Sequence, residues 1–314
     1  MAFADPTAPY TAGDLASMIP EIWSPIVNEP NFPKAVASNF FTDLSAYATE
    51  GGDRIHVPNI YTNVFSASTQ STQGNAVVDQ SPATVDVYLD IDTHKYVAWI
   101  IGKKDMKQLA TKYALNEKYA KEAKNVLTVA LEDSLFALWS SITTNVVGDT
   151  ATVITDNEIV GTIEKLDTLD YDLEETAFFF HPFVYWRQIV TIAKYYTWNT
   201  SQLPVVRTGN FGSMDKSRGL KGQIYGQPIY TSNRVVKGLS TYRNLFAHPS
   251  ALGFAIQSNG TASEMGGVAR INVDAQYLLQ NLGTLTVADI IYGVAVLREP
   301  AIVLLNANDT AVTS

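Results

Sequence analysis

The chain contains no cysteine. Disulfides, thiolate nucleophiles, cysteine-held zinc and iron–sulfur clusters are therefore excluded. Charge is scarce as well. Of 314 residues, 22 are basic and 31 acidic, or 17% charged, against roughly 25% in ordinary soluble domains. The net charge of −9 argues against a protein that grips nucleic acid through its phosphates. It does not exclude one that must lie beside nucleic acid without adhering. No uncharged apolar run approaches the ~18–20 residues of a membrane helix. The most apolar stretch, Val287 to Leu297, is short and holds Asp289. Met1 to Pro9 lacks the basic and apolar regions of a signal peptide, so none is predicted.

Catalytic signatures are missing too. No dinucleotide fingerprint, phosphate loop, nucleophile elbow or paired-histidine zinc motif occurs. The four histidines, His56, His94, His181 and His248, are scattered singly. His181 and His248 each precede a proline, a place where a histidine caps a turn more often than it serves as a base. Gly219, Gly222 and Gly226 resemble a phosphate loop only superficially, because no Lys-Ser/Thr follows; turn glycines explain them better. Lys216, Arg218 and Lys221 on that segment read as a solvated loop, with contact to an acidic neighbour as the alternative. The sequence predicts no catalytic residue, cofactor or metal ligand.

What is present is a folded chain with an unusual surface. Apolar residues make 46% and aromatics 11%, with a mean hydropathy of 0.00. That profile excludes disorder, and the length predicts about two domains at roughly 150 residues each. Few charges and many aromatics suit a surface covered by partner subunits. A neutral-surfaced monomer has the same composition.

The first fifty residues hold Pro6, Pro9, Pro20, Pro25, Pro30 and Pro33, with isolated apolar anchors at Ile22, Trp23 and Ile26. This pattern predicts an extended arm with a short helix near Lys34 to Ala48. Such an arm needs something to lie on, its own body or a neighbour's. A hairpin follows. Ile55 and Val57 alternate in its first strand, and Val85, Val87, Leu89 and Ile91 in its second. Residues 61 to 83 between them are mostly Ser, Thr, Gln, Asn and Ala, with no Lys or Arg from Tyr61 to His94. A connection longer than ~12–15 residues is uncommon in a compact domain, and a lone hairpin is marginal in water. The arm is therefore expected to project and pack on another surface.

Helical spacing begins after Gly102, with Ala120, Ala123, Leu127, Ala130, Leu131, Leu135 and Leu138 on one face. The spacing predicts an uninterrupted helix from Tyr113 to about Ile142. Thr155 with Glu158 forms a capping box opening a helix to about Leu169. Ala177 to Phe180 reads as a short buried strand, and Pro182 opens a helix through Lys194. Further strands are expected at Pro228 to Ser232, Arg243 to Ala247, Ala251 to Ile256, Thr284 to Val296 and Ala301 to Leu305.

One cluster of charge stands out. Asp86, Asp90 and Asp92 fall on one strand face, because even spacing points them the same way. A row along a strand is too spread to surround a calcium. In-line carboxylates repel, which favours a basic partner: Lys103, Lys104 and Lys107, or basic residues of another copy. A solvated face is the plain alternative.

The order of parts resembles the major capsid proteins of tailed double-stranded DNA bacteriophages, with the fold named after bacteriophage Hong Kong ninety-seven. Gly52-Asp-Arg-Ile-His-Val-Pro58 resembles the strand leading into that family's extended loop, and Asp79 to Asp92 its return strand. Lys104-Asp-Met-Lys-Gln108, leading into Ala120 to Trp139, resembles the spine helix. Gly222 to Asn233 resembles the glycine-rich strand pair of the axial domain, and Tyr292 to Arg298 the closing strand of the peripheral domain. The resemblance spans about residues 20 to 306.

It implies an α+β capsid fold: an N-terminal arm at 1–50, an extended loop at 51–101, a peripheral domain at 102–150 and 271–314, and an axial domain at 151–270. It implies a non-enzymatic shell subunit that forms hexamers and pentamers around viral DNA, located in the virion and assembled in the host cytoplasm. Its partners would be other copies and separate scaffolding, portal or decoration proteins. Trp23, Asp86, Asp90, Asp92, Lys103, Lys104 and Lys107 are the candidate interface residues. Some relatives crosslink through a lysine at the loop tip; this tip has none, so that chemistry is not carried over. Nor does the chain show the acidic helical scaffolding segment that some relatives carry. An encapsulin-like nanocompartment shares the fold. A β-rich tail or adhesin module is the alternative of another class, opposed by the long helix, and an enzyme is opposed by the absent motifs.

Overall fold

The computed structural model describes residues 35–48, 52–60, 84–105, 107, 115–192, 206–208, 220–257 and 271–309. The arm with Trp23, the hairpin tip at 61–83, and Lys216 and Arg218 lie outside these residues.

The described strands, in chain order, are β1 (Thr42–Asp43), β2 (Arg54–Ile60), β3 (Thr84–Asp90), β4 (Thr93–Gly102), β5 (Val146–Val147), β6 (Ala177–Phe180) and β7 (Val206–Thr208). They continue with β8 (Leu220–Ile224), β9 (Gln227–Thr231), β10 (Thr241–Ala247), β11 (Leu252–Gln257), β12 (Asn272–Leu278), β13 (Gly283–Val296) and β14 (Ile302–Asn308). The helices used below are α1 (Leu115–Ala137), α2 (Asp156–Asp167) and α3 (Pro182–Val184), the last continuing as a π turn over Tyr185–Ile189. Helix and sheet mix as the α+β reading expects.

The strands form three sheets among the described residues. A five-stranded sheet runs β1-β11-β13-β12, with β4 on the other side of β13; a seven-stranded sheet runs β5-β14-β10-β6-β9-β8-β7; β2 and β3 pair alone. The backbone of β13 is the axis of the first sheet. Its 14 residues pair with β4 from Gly283↔Gly102 to Tyr292↔Thr93, and with β11 from Ile291↔Gln257 to Val296↔Leu252.

The long helix α1 lies on this sheet because its apolar stripe matches the inward residues of β13. Leu127, Leu131, Leu135 and Phe136 pack with Ala288, Ile290 and Tyr292. The Tyr292 hydroxyl donates to the Ala130 carbonyl at 3.1 Å and meets Ser134 Oγ at 2.7 Å. α1 has 23 residues, about 35 Å at 1.5 Å per residue. It then tightens into a 3-10 turn at Leu138–Ser141 that buries Trp139. The predicted strut is thus present, its last turn overwound.

In the seven-stranded sheet, β6 is buried on both faces, as its unbroken apolar sequence requires. Phe178 and Phe180 face α2 and α3 with Ile159, Leu166, Val184 and Ile189; Ala177 and Phe179 face the α1 side with Trp139. The Thr155–Glu158 capping box is formed at the start of α2. β8 and β9 join through Tyr225 and Gly226, at φ 49° and 88°, the paired positive values of a two-residue hairpin turn.

Two expectations need correction. No α-helix occupies 35–48; the chain makes a turn, β1 and a 3-10 turn at Ser45–Ala48. Its polar side chains bond locally instead, Asp43 accepting the Ser45 N–H at 2.8 Å. The helix opened by Pro182 is also shorter than expected: its helical turns end at Ile189, where the Val190 N–H bonds back to the Tyr185 carbonyl.

Candidate assembly surface

The hairpin β2–β3 separates its side chains cleanly by register. Arg54 pairs with Asp90, Ile55 with Leu89, His56 with Tyr88, Val57 with Val87 and Pro58 with Asp86. One face, with Ile55 and Leu89, sits with Ile91 against Ala48, Ala255, Ile291 and Ala295. Gly293 of β13 lies directly beneath: a Cβ there would come within 2.0 Å of the Asp90 carbonyl oxygen. Only glycine allows that approach.

The other face is a polar ladder. Arg54 donates to both carboxylate oxygens of Asp90, with Nη2 to Oδ2 at 3.1 Å, and its guanidinium carbon lies 4.2 Å from the Tyr88 ring centre. His56 Nδ1 meets Asp86 Oδ2 at 2.6 Å. The bond from Arg54 holds the Asp90 carboxyl below its usual range, and Asp90 raises Arg54 in return. The ladder remains wet, with Tyr88 51% exposed.

The carboxylate row therefore differs from the sequence reading. Asp86 and Asp90 take their basic partners from the facing strand of their own hairpin, because the register brings His56 and Arg54 there. Asp92 is not part of the row: β3 ends at Asp90, the period of two breaks, and Asp92 accepts from Thr93 Oγ1 at 3.0 Å. Lys103, Lys104 and Lys107 are exposed beyond the far end of β4.

The five-stranded sheet carries a second candidate surface. Residues Val273 to Tyr277 of β12 are all exposed, so both faces of this strand are open. Tyr96 and Ile100 of β4 are also exposed, as are Leu279 and Leu282 after β12. The sequence reading placed no strand at 272–278 and none at 93–102.

Two further histidines cap turns, while His94 Nε2 meets Asp289 Oδ2 at 3.0 Å across β4 and β13. His181 Nδ1 accepts the Phe183 N–H at 3.1 Å and His248 Nδ1 the Ser250 N–H at 3.2 Å, each capping a turn that begins with proline. Burial lowers the His181 pKa, helped by nearby Lys237. Among the described residues no group of three or more acidic or histidine side chains is placed to hold a metal, and no helix is long and apolar enough to cross a membrane.

No family profile matches the chain, and no curated protein is significantly similar. Solved structures are. A protein of Mycobacterium phage Che8 is 16% identical with a TM-score of 0.65, over 91% of this chain and 96% of that one. The capsid structure of cyanophage P-SCSP1u gives 13% identity and a TM-score of 0.67, covering 94% and 95%. The SrpI encapsulin of Synechococcus elongatus PCC 7942 gives 12% and 0.60, covering 98% of each chain. The chain has the Hong Kong ninety-seven-type capsid fold.

Proposed function

We propose that this chain is the major capsid protein of a tailed double-stranded DNA bacteriophage. It assembles into hexamers and pentamers of an icosahedral shell, in the host cytoplasm, and resides in the virion. One observation carries the reading: the fold is shared with phage capsid subunits along nearly the whole of both chains. The work is mechanical and non-enzymatic. Each extended loop lies on a neighbouring subunit, and each N-terminal arm crosses to another, with Trp23 as an anchor. In this reading β4 belongs with the peripheral domain from Thr93 onward, because it is hydrogen-bonded along β13.

The charge pattern fits. Arg54 with Asp90 and His56 with Asp86 leave the loop's outer face polar but internally paired, a surface that docks without burying a lone charge. Lys103, Lys104 and Lys107 remain candidate contacts toward other copies. The −9 balance would keep an inner wall from adhering to packaged DNA.

The encapsulin likeness favours a second reading, a cellular nanocompartment enclosing a protein cargo. Nucleic-acid absorbance and nuclease-resistant DNA in purified particles separate the two. Particles with DNA and tails support the virion; DNA-free particles holding a second protein overturn it in favour of the compartment.

A further inference from the structure

Residues 36–48 link three parts of the subunit with one stretch of chain. Val36 and Ala37 donate their backbone N–H groups to Glu132 Oε2 at 3.1 and 3.0 Å. Ser38 donates both its N–H and its hydroxyl to Oε1, at 2.7 and 2.6 Å. Glu132 projects from α1 and is only 3% exposed, as is Ser38. Phe40 and Phe41 N–H both bond back to the Ala37 carbonyl at 3.0 Å. Glu132 thus takes the amides that open this turn and would otherwise lack partners.

Beyond the turn the chain crosses the molecule. Phe40 and Phe41 meet Phe179 of β6, with ring centres 5.0 and 5.6 Å apart. Thr42 and Asp43 pair in parallel with Gly253 and Phe254 of β11. Ser45 Oγ accepts the Ile256 N–H at 2.9 Å. Ala48 then packs with Leu89 and Ile91 under the hairpin. These crossings of the strap over β6, β11 and the hairpin are apolar or made to neutral groups. At Glu132 a charge sits in the interior, between Leu131 and Leu135, where a leucine would avoid the cost of removing a carboxylate from water.

A buried charge met by four directional donors accepts one arrangement of its partners, whereas an apolar contact tolerates sliding. We propose that Glu132 is the clasp of this strap. It is a positioning residue that fixes residues 36–48 on α1 and, through them, the base of the extended hairpin. Only the consequence for assembly rests on the shell reading: there, a loosened clasp would also loosen the base of the hairpin that meets a neighbour.

The test is amide hydrogen exchange on the full chain, wild type against Glu132→Gln, which keeps the shape and removes the charge. Exchange is expected to quicken at least about tenfold at residues 36–48 and at the hairpin base (53–57 and 87–91), with less than about twofold change in β6 and β14. A uniform rise across the chain, or a rise confined to residues 36–38, overturns the proposal. Ser38→Ala guards against a Gln variant that does not fold. It removes one bond and leaves the charge, and a smaller quickening in the same two places is expected; none there would also overturn it. Glu132→Asp, with the charge restored on a shorter stem, should fall between Gln and wild type. Loss of shell formation by wild type would contradict the shell reading and leave the exchange result standing.

Discussion

Two strands of different sequence pattern meet opposite fates in this molecule, one of four apolar residues and one of seven that alternate apolar with polar. β6 is Ala-Phe-Phe-Phe, and all four residues are fully buried, held between helices on one side and α1 on the other. β3 is Thr-Val-Asp-Val-Tyr-Leu-Asp; Leu89 is fully buried, while Tyr88 stands half in water. The first strand completes its contacts inside its own chain. The second completes one face and leaves a paired, polar ladder on the other. The difference separates what holds the chain together from what it would offer to neighbours in the proposed shell. Variants in the first region should lower subunit stability, and variants in the second should alter assembly.

The largest effect is expected at Phe179, whose ring packs among Phe40, Phe41, Trp139 and Tyr230. Phe179→Ala should cost about 3–5 kcal/mol, read as a fall in the urea midpoint. A change under about 1 kcal/mol would mean that this region is not the core it looks to be. Gly293→Ala comes next, because its methyl group would press on the Asp90 carbonyl. A loss of about 1–3 kcal/mol is expected, together with faster proteolysis between residues 54 and 90. Unchanged cleavage there would show that the hairpin base does not depend on the contact.

Acidification sharpens the comparison on the buried side. His181 has a pKa lowered by burial and Lys237 from its usual value near 6.5. The unfolded chain therefore takes up the proton first. Stability is present above the ordinary histidine range and is lost as pH falls through it toward the folded value. His181→Asn, which keeps a cap, should lose less stability than wild type between about pH 7 and about pH 5. Equal losses would remove His181 from the account.

The smallest effect on subunit stability is expected at the ladder's Asp86 and Asp90 together with Asp92 beyond its end. Asp86, Asp90 and Asp92 replaced together by Asn should leave the melting temperature of the subunit nearly unchanged, since these groups are solvent-facing, yet reduce particle yield. Unchanged yield and particle melting would end their assembly role. In Arg54→Gln the Asp90 carboxyl should return toward its usual range, checked by NMR titration.

Much of this was legible from residue spacing. Val85, Val87, Leu89 and Ile91 alternate, and Ala123, Leu127, Leu131 and Leu135 repeat at helical intervals, so the hairpin and the long helix declare themselves locally. Thr155 and Glu158 mark a helix start within four residues. What stayed hidden depends on distant chain. The Glu132 contact joins residues 94 to 96 positions apart. Arg54 meets Asp90 across 36 residues, so the row of carboxylates was visible but its partners were not. β12 alternates Val273, Ala275 and Tyr277, but Asp274 and Gln276 lie between them and both faces are open. An open edge strand carries no burial pattern to read.

Particle size of the purified protein, by light scattering with negative-stain images, tests the proposed shell function most directly. Megadalton icosahedral particles are expected on that reading. A stable, compact monomer at 34.4 kDa, unchanged on concentration and on co-expression with a scaffolding protein, would contradict it.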